Sequence, residues 1–235
     1  MDEITINNLP DTKVVLIGDS GVGKTSIIRQ FTSHTFDPKC TPSLSSQFAS
    51  KIINIPDIKK EIRFDLWDTA GQEKFRALAK IFYKDAKIII FVYEITNRKS
   101  FESIQQYWYQ QVNLNCIVDA IFALVGNKTD LYNNAQVNNK EAEEWADSIG
   151  AIFQTTSALE NTGIDTLFDI LGKKFFNSKF DYKSEELKKK ELYAKKKRSK
   201  KEETEDEEDF NRIDDAKNIK LDNKNNYKKK NKKCC

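Results

Sequence analysis

Short apolar runs alternate with amphipathic stretches across residues 13–176, which predicts an α/β fold on a largely parallel sheet. Two of the runs, Ile88–Tyr93 and Ala120–Val125, are apolar throughout, as strands of a sheet covered on both faces must be. Six runs read as strands, so the expected architecture is a six-stranded, mostly parallel sheet with helices on both faces. Charge sets the limits of the domain. The last 53 residues carry 19 Lys/Arg and 13 Asp/Glu, whereas the preceding 182 carry 20 and 23. The chain therefore divides into a short lead (1–11), a domain of ordinary composition (12–180) and a charged tail (181–235). A domain of that size buries a full core without disulfide staples.

The elements follow in order. Lys13–Ile17 predicts a buried first strand, and Lys24–Ser33 a helix with Ile27, Ile28 and Phe31 on one face. A polar loop spans about Thr35 to Ser46. Phe48–Ile55 and Glu61–Trp67 alternate with a period of two and read as a hairpin closed by Pro56-Asp57. Helices are expected over Phe75–Lys84, Lys99–Val112, Lys140–Ile149 and Ile164–Phe176, with a last short strand at Ile152-Phe153. Beyond Glu202 an acidic block and an Asn/Lys stretch hold too few apolar residues to offset the entropy of ordering them.

Several classes fall away. The longest apolar run is far short of the ~20 residues a spanning helix needs. Met1-Asp2-Glu3 is acidic where a signal peptide is basic, and Asp2 excludes N-myristoylation, which requires Gly there. A chain without an export signal is expected in the reducing cytosol, where its four cysteines form no disulfide framework.

Four motifs carry chemistry. Gly18-Asp19-Ser20-Gly21-Val22-Gly23-Lys24-Thr25, followed by Ser26, fits G-x-x-x-x-G-K-[ST] between a strand and a helix. Its glycines let amide N–H groups turn inward around a phosphate chain at the positive end of a helix. Lys24 then reaches the outer phosphates, and the Thr25 hydroxyl suits Mg²⁺. Asp68-Thr69-Ala70-Gly71 follows a strand; an aspartate there suits a second metal-side contact, and Gly71 a bare amide approaching a γ-phosphate. Taken alone this tetrapeptide also describes a solvated turn. Asn127-Lys128-Thr129-Asp130 follows the fifth strand. A carboxylate there can accept the paired N–H donors on one edge of guanine, which adenine lacks, while the Lys128 stem lies over a flat base. Alone, it too is a polar loop. Thr156-Ser157-Ala158 offers backbone amides to a base carbonyl.

In this order and spacing the motifs resemble the Ras superfamily of P-loop small GTPases over about Lys13–Phe176. Trp67–Phe75 and the terminal Cys234-Cys235 resemble the Rab family specifically. Phe36-Asp37-Pro38, Pro42–Phe48, the Phe-Arg-Ala-Leu-Ala run ending at Ala79 and the Ala-Asp-Ser-Ile run ending at Ile149 resemble its early-endosomal subgroup. The resemblance implies a switch that binds GTP or GDP with Mg²⁺ held by Thr25, Ser43 and Asp68. Phe36 then packs edge-on against the guanine, Gln72 orients the attacking water, and Lys24 with Mg²⁺ stabilises charge during hydrolysis. Phe48, Trp67 and Phe82 are the implied effector patch, with ordinary core packing as the alternative. Implied partners are effectors, an exchange factor, a GTPase-activating protein supplying an arginine, a prenylation escort and a GDP-dissociation inhibitor. The expected location is the cytosolic face of intracellular membranes, at the early endosome, with a GDP-bound cytosolic pool.

Three residues depart from the family pattern. Ser43 stands where threonine is usual, Ser45 where glycine is usual, and Leu159 where lysine is usual. They leave open a second reading, a nucleotide-held scaffold that scarcely hydrolyses or cycles. In the tail, Lys224, Lys228, Lys229, Lys230, Lys232 and Lys233 follow the last acidic residue, Asp222, and precede the two cysteines. Two lipid chains, or one chain and a basic patch, give stable membrane anchoring. The basic run Lys195–Lys201 is cancelled by Glu202–Asp209, so no nucleic acid is expected as a partner.

Overall fold

The computed structural model describes residues 9–38, 47–69, 83–115, 120–181 and 183–184. Ser43, Ser45, Gly71, Gln72, Phe82, Cys234, Cys235 and nearly all of the expected Phe75–Lys84 helix lie outside them. The chain separates into two units, 1–180 and 181–235.

Six strands form one sheet in the order β2-β3-β1-β4-β5-β6. They are β1 (Asp11–Ile17), β2 (Gln47–Ile55), β3 (Lys60–Asp68), β4 (Ile88–Glu94), β5 (Ile121–Asn127) and β6 (Ile152–Thr156). Only β2 runs antiparallel, paired along its length with β3 through a single 3₁₀ turn at Pro56–Ile58. The other pairings are parallel. The mostly parallel sheet is thus as expected, and its polarity brings the carboxyl ends of five strands to one edge. Leu16 is level with Asp68, Glu94 with Asn127, and Asn127 with Thr156.

Helices cover both faces. On one face α1 (Lys24–Ser33) and α4 (Ile164–Phe176) pack together, Phe31 stacking on Phe168 at 3.6 Å between centroids with Phe64 edge-on to Phe31. On the other, Val15, Ile17, Ile89, Phe91, Tyr93 and Leu124 bury against Phe101, Ile104 and Trp108 of α2 and Ala142 and Ala146 of α3. The α3 helix is Asn139–Ser148, capped by the Asn138 side chain. The α2 helix runs in three consecutive pieces, Arg98–Ser103, a π segment Ile104–Trp108, and Tyr109–Asn115. Among the described residues no helix is long and apolar enough to cross a membrane.

Three boundaries that bear on the site differ from expectation. β3 extends through Asp68 and β5 through Asn127, so both residues are the last of their strands instead of lying in the loops beyond. β6 continues from Phe153 to Thr156, because pairing with β5 holds Gln154, Thr155 and Thr156 extended despite their polarity.

Candidate functional site

The order of the strands explains where a ligand belongs. After β1 the chain moves to β3 on one side and then to β4 on the other. Open parallel sheets bind ligands at such a switch, outside the carboxyl ends of the strands. Gly18–Gly23 leaves β1 there and turns into α1. Gly18 (φ 147°) passes so close to β4 that an added Cβ would lie 2.1 Å from the Val92 carbonyl oxygen. Gly23 (φ 97°) is left-handed, and a Cβ there would lie 2.3 Å from the Asn127 Nδ2. Ser20 and Gly21 are exposed at the tip of the turn, Val22 is buried, and Ser26 lines the cleft beside it. No side chain caps the first turn of α1 and no acidic residue lies in it, so its opening amides face the turn.

Lys24 is buried and folds back over the turn, donating to the carbonyls of Gly18 (2.8 Å) and Asp19 (2.9 Å). Burial lowers its pKa to about 8, and the carboxylates of Asp68 and Asp19 oppose that fall. Beside it the Thr25 hydroxyl donates to Asp68 Oδ2 at 2.5 Å. Asp68 is held by its strand, and Thr69 next to it donates to the Leu16 carbonyl at 2.7 Å, locking the ends of β3 and β1 together. A hydroxyl and a buried carboxylate at this separation are hard oxygen donors of the kind Mg²⁺ takes, so the residues fit that ion.

The other end of the cleft is made of side chains. Asn127 donates to the Val22 carbonyl (2.9 Å) and accepts from the Thr156 hydroxyl (2.9 Å). Both ends of its amide are thus engaged in tying the turn, β5 and β6 together. Asp130 and Lys128 face the cleft with Phe36, Ala158 and Leu159. Asp130 accepts from the Ser157 hydroxyl at 2.5 Å, and Ser157 in turn accepts the Glu160 amide. Lys128 takes a left-handed backbone (φ 68°) and pairs with Glu94 Oε2 at 2.7 Å, which stretches its aliphatic stem along the cleft. Phe36 and Leu159 are the exposed apolar walls.

The structure therefore gathers Gly18–Ser26, Asp68 and the residues 127–130 and 157–159 at one edge. Phe48 and Trp67 lie apart from the cleft on the β2–β3 ribbon, Phe48 standing 57% exposed and edge-on to Trp67 at 5.2 Å. Trp67 also packs partly against the core, and the Lys13 ammonium sits 5.4 Å over its ring. Sequence reasoning missed four supporting residues. Glu94 positions Lys128, and Gln30 of α1 donates to the Ala158 carbonyl at 3.0 Å. Ser103 and Trp108 of α2 both bond the Asp19 carboxylate. The signal for Glu94 was available, since it is the one charged residue closing an apolar strand whose end meets the cleft.

Comparison with known proteins agrees with this geometry. The pattern of the Ras family matches residues 13–177. The Ras-related protein RabJ of Dictyostelium discoideum is 37% identical over 179 residues, 76% of this chain and 68% of the relative. Human Ras-related protein Rab-22A is 38% identical over 68% of this chain and 81% of its own length. Bovine Ras-related protein Rab-21 is 38% identical over 71% and 73%. With a phosphate-cradling turn, a carboxylate at the base end and this similarity along the domain, the chain belongs to the Ras family as a Rab small GTPase, and it binds and hydrolyses GTP.

Proposed function

We propose that this GTPase, a switch of membrane trafficking, works from the cytosolic face of an intracellular membrane, the early endosome. It is held there by lipid on Cys234 and Cys235 and by the late lysines. The observation that carries the nucleotide part of the reading is the convergence of Lys24, the Thr25–Asp68 pair and Asp130 at one sheet edge. Lys24 and the opening amides of α1 hold the β- and γ-phosphates, and Asp130 accepts the guanine N–H pair. The backbone amides of Ser157 and Ala158 face the base carbonyl, and Phe36 and the Lys128 stem enclose the ring. Thr25 and Asp68, with Ser43, hold Mg²⁺, which supplies charge neutralisation for the phosphates when bound. Gln72 orients the attacking water, and an activating protein contributes an arginine to the site.

Phe48 and Trp67, with Phe82, present the surface effectors read; the exposure of Phe48 supports that assignment. Exchange factor, prenylation escort and GDP-dissociation inhibitor complete the cycle. The resemblance of residues 36–38 and 42–48 to the early-endosomal subgroup supports the compartment.

The test is cell fractionation of a Cys234→Ser/Cys235→Ser double variant. It should move to the soluble fraction while retaining GDP, because the change lies outside the 1–180 unit. Retention on membranes would overturn the anchor.

A further inference from the structure

The Asp19 carboxylate does not face the cleft. It reaches to α2, where its Oδ1 accepts both the Ser103 hydroxyl (2.8 Å) and the Trp108 indole N–H (2.9 Å). Trp108 is fully buried, so its donor needs a partner, and Asp19 supplies one. On a regular α-helix residues five apart point about 140° away from each other and cannot share one acceptor atom. Here the segment between them is the π turn Ile104–Trp108, closed by the Tyr109 amide on the Ile104 carbonyl. An i→i+5 turn stacks residues five apart on one face, and that is what lets Ser103 and Trp108 converge. The backbone carbonyl of the same Asp19 accepts the Lys24 ammonium at 2.9 Å. One residue thus joins α2 on its side-chain side to the phosphate-binding lysine on its backbone side.

We infer that Ser103 and Trp108 are positioning residues for the nucleotide. They latch the phosphate turn to α2 through Asp19 and so hold the Asp19 carbonyl, and with it Lys24, in the geometry that retains the phosphates. The inference rests on Gly18–Thr25 being the phosphate site. A latch of this kind acts on how long a nucleotide stays, because release requires the turn to open. It also gives the interior of α2 a direct line to the phosphates, so a displacement of that helix would loosen the nucleotide without any contact to it.

The experiment is the release rate of a fluorescent GDP analogue from the full chain, measured with the thermal midpoint of each variant. Trp108→Phe keeps most of the buried volume and removes the N–H; it should speed release about tenfold, the scale of one lost hydrogen bond to a charged group. Ser103→Ala, at a less buried position, should speed it about threefold. In an Asp19→Ala background, where the acceptor is gone, Trp108→Phe should change release by less than twofold. Lower thermal midpoints with unchanged release would make the residues structural only and overturn the latch. Equal acceleration with and without Asp19 would overturn it as well. A wild-type chain that held no GDP would overturn the nucleotide reading itself, and the latch with it.

Discussion

The two ends of the cleft are built from different materials. At the phosphate end the contacts are backbone: a turn that only glycine can follow at Gly18 and Gly23, the uncapped amides of α1, and a lysine held by two carbonyls. At the base end they are side chains propped by other side chains: Asp130 on Ser157, Lys128 on Glu94, Asn127 on Thr156. A backbone-built site binds what every nucleotide shares, and its tolerance to change is set by conformation. A side-chain-built site discriminates between bases, and its members can drift one at a time. Leu159 stands at that end, an exposed apolar wall where the family usually has lysine.

The largest expected effect is at the phosphate end. Gly23→Ala forces a Cβ into a left-handed position and against Asn127. It should cost GDP affinity on the order of a hundredfold, about 3 kcal/mol, in an equilibrium titration. It should also lower the thermal midpoint, since Asn127 is displaced from the Val22 carbonyl. Retained affinity would mean that the turn does not need this geometry.

A smaller effect is expected at the base end. Glu94→Gln removes the charge that extends Lys128, whose side chain and partner are 32% and 18% exposed. Partial exposure screens the pair, so GDP affinity should fall only about threefold. A loss as large as that of Gly23→Ala would place Lys128 in a role beyond packing over the base.

An effect between these two is expected with pH. Without nucleotide, burial holds the Lys24 pKa near 8, and phosphates favour its charged form. GDP affinity should therefore be greatest below about pH 8 and fall as pH rises through it, by about tenfold between pH 7 and pH 9. The stability of the nucleotide-free chain carries the opposite sign. There the unfolded lysine binds the proton more tightly than the folded one, so this group adds stability as pH rises from about 8 towards 10.5. In Lys24→Arg, whose guanidinium does not titrate in this range, the affinity profile should be flat.

How much of this was legible in the sequence follows the same division. The all-apolar runs of β4 and β5 announced themselves because both faces are covered. The phosphate turn was legible because backbone geometry demands particular residues at particular spacings. β6 was read as two residues because Gln154–Thr156 are extended only by virtue of pairing with β5. The π turn in α2 had no local signal at all; its visible function is to bring Trp108 onto Asp19, a contact 89 residues away in sequence. Asn127 was expected in the loop after β5, whereas it closes the strand and engages Val22 and Thr156, since which strand ends meet is decided by topology. Gln30 escaped for the same reason.

The central claim is that the phosphate end holds any nucleotide while Asp130 selects the base. The direct measurement is a competition titration of GDP, xanthosine diphosphate and ADP on the wild-type chain and on Asp130→Asn. The wild type should prefer GDP over both others. The variant should lose GDP affinity, gain affinity for xanthosine diphosphate, and leave ADP unaffected. A wild type that takes ADP as well as GDP, or a variant whose preference does not move, would contradict it.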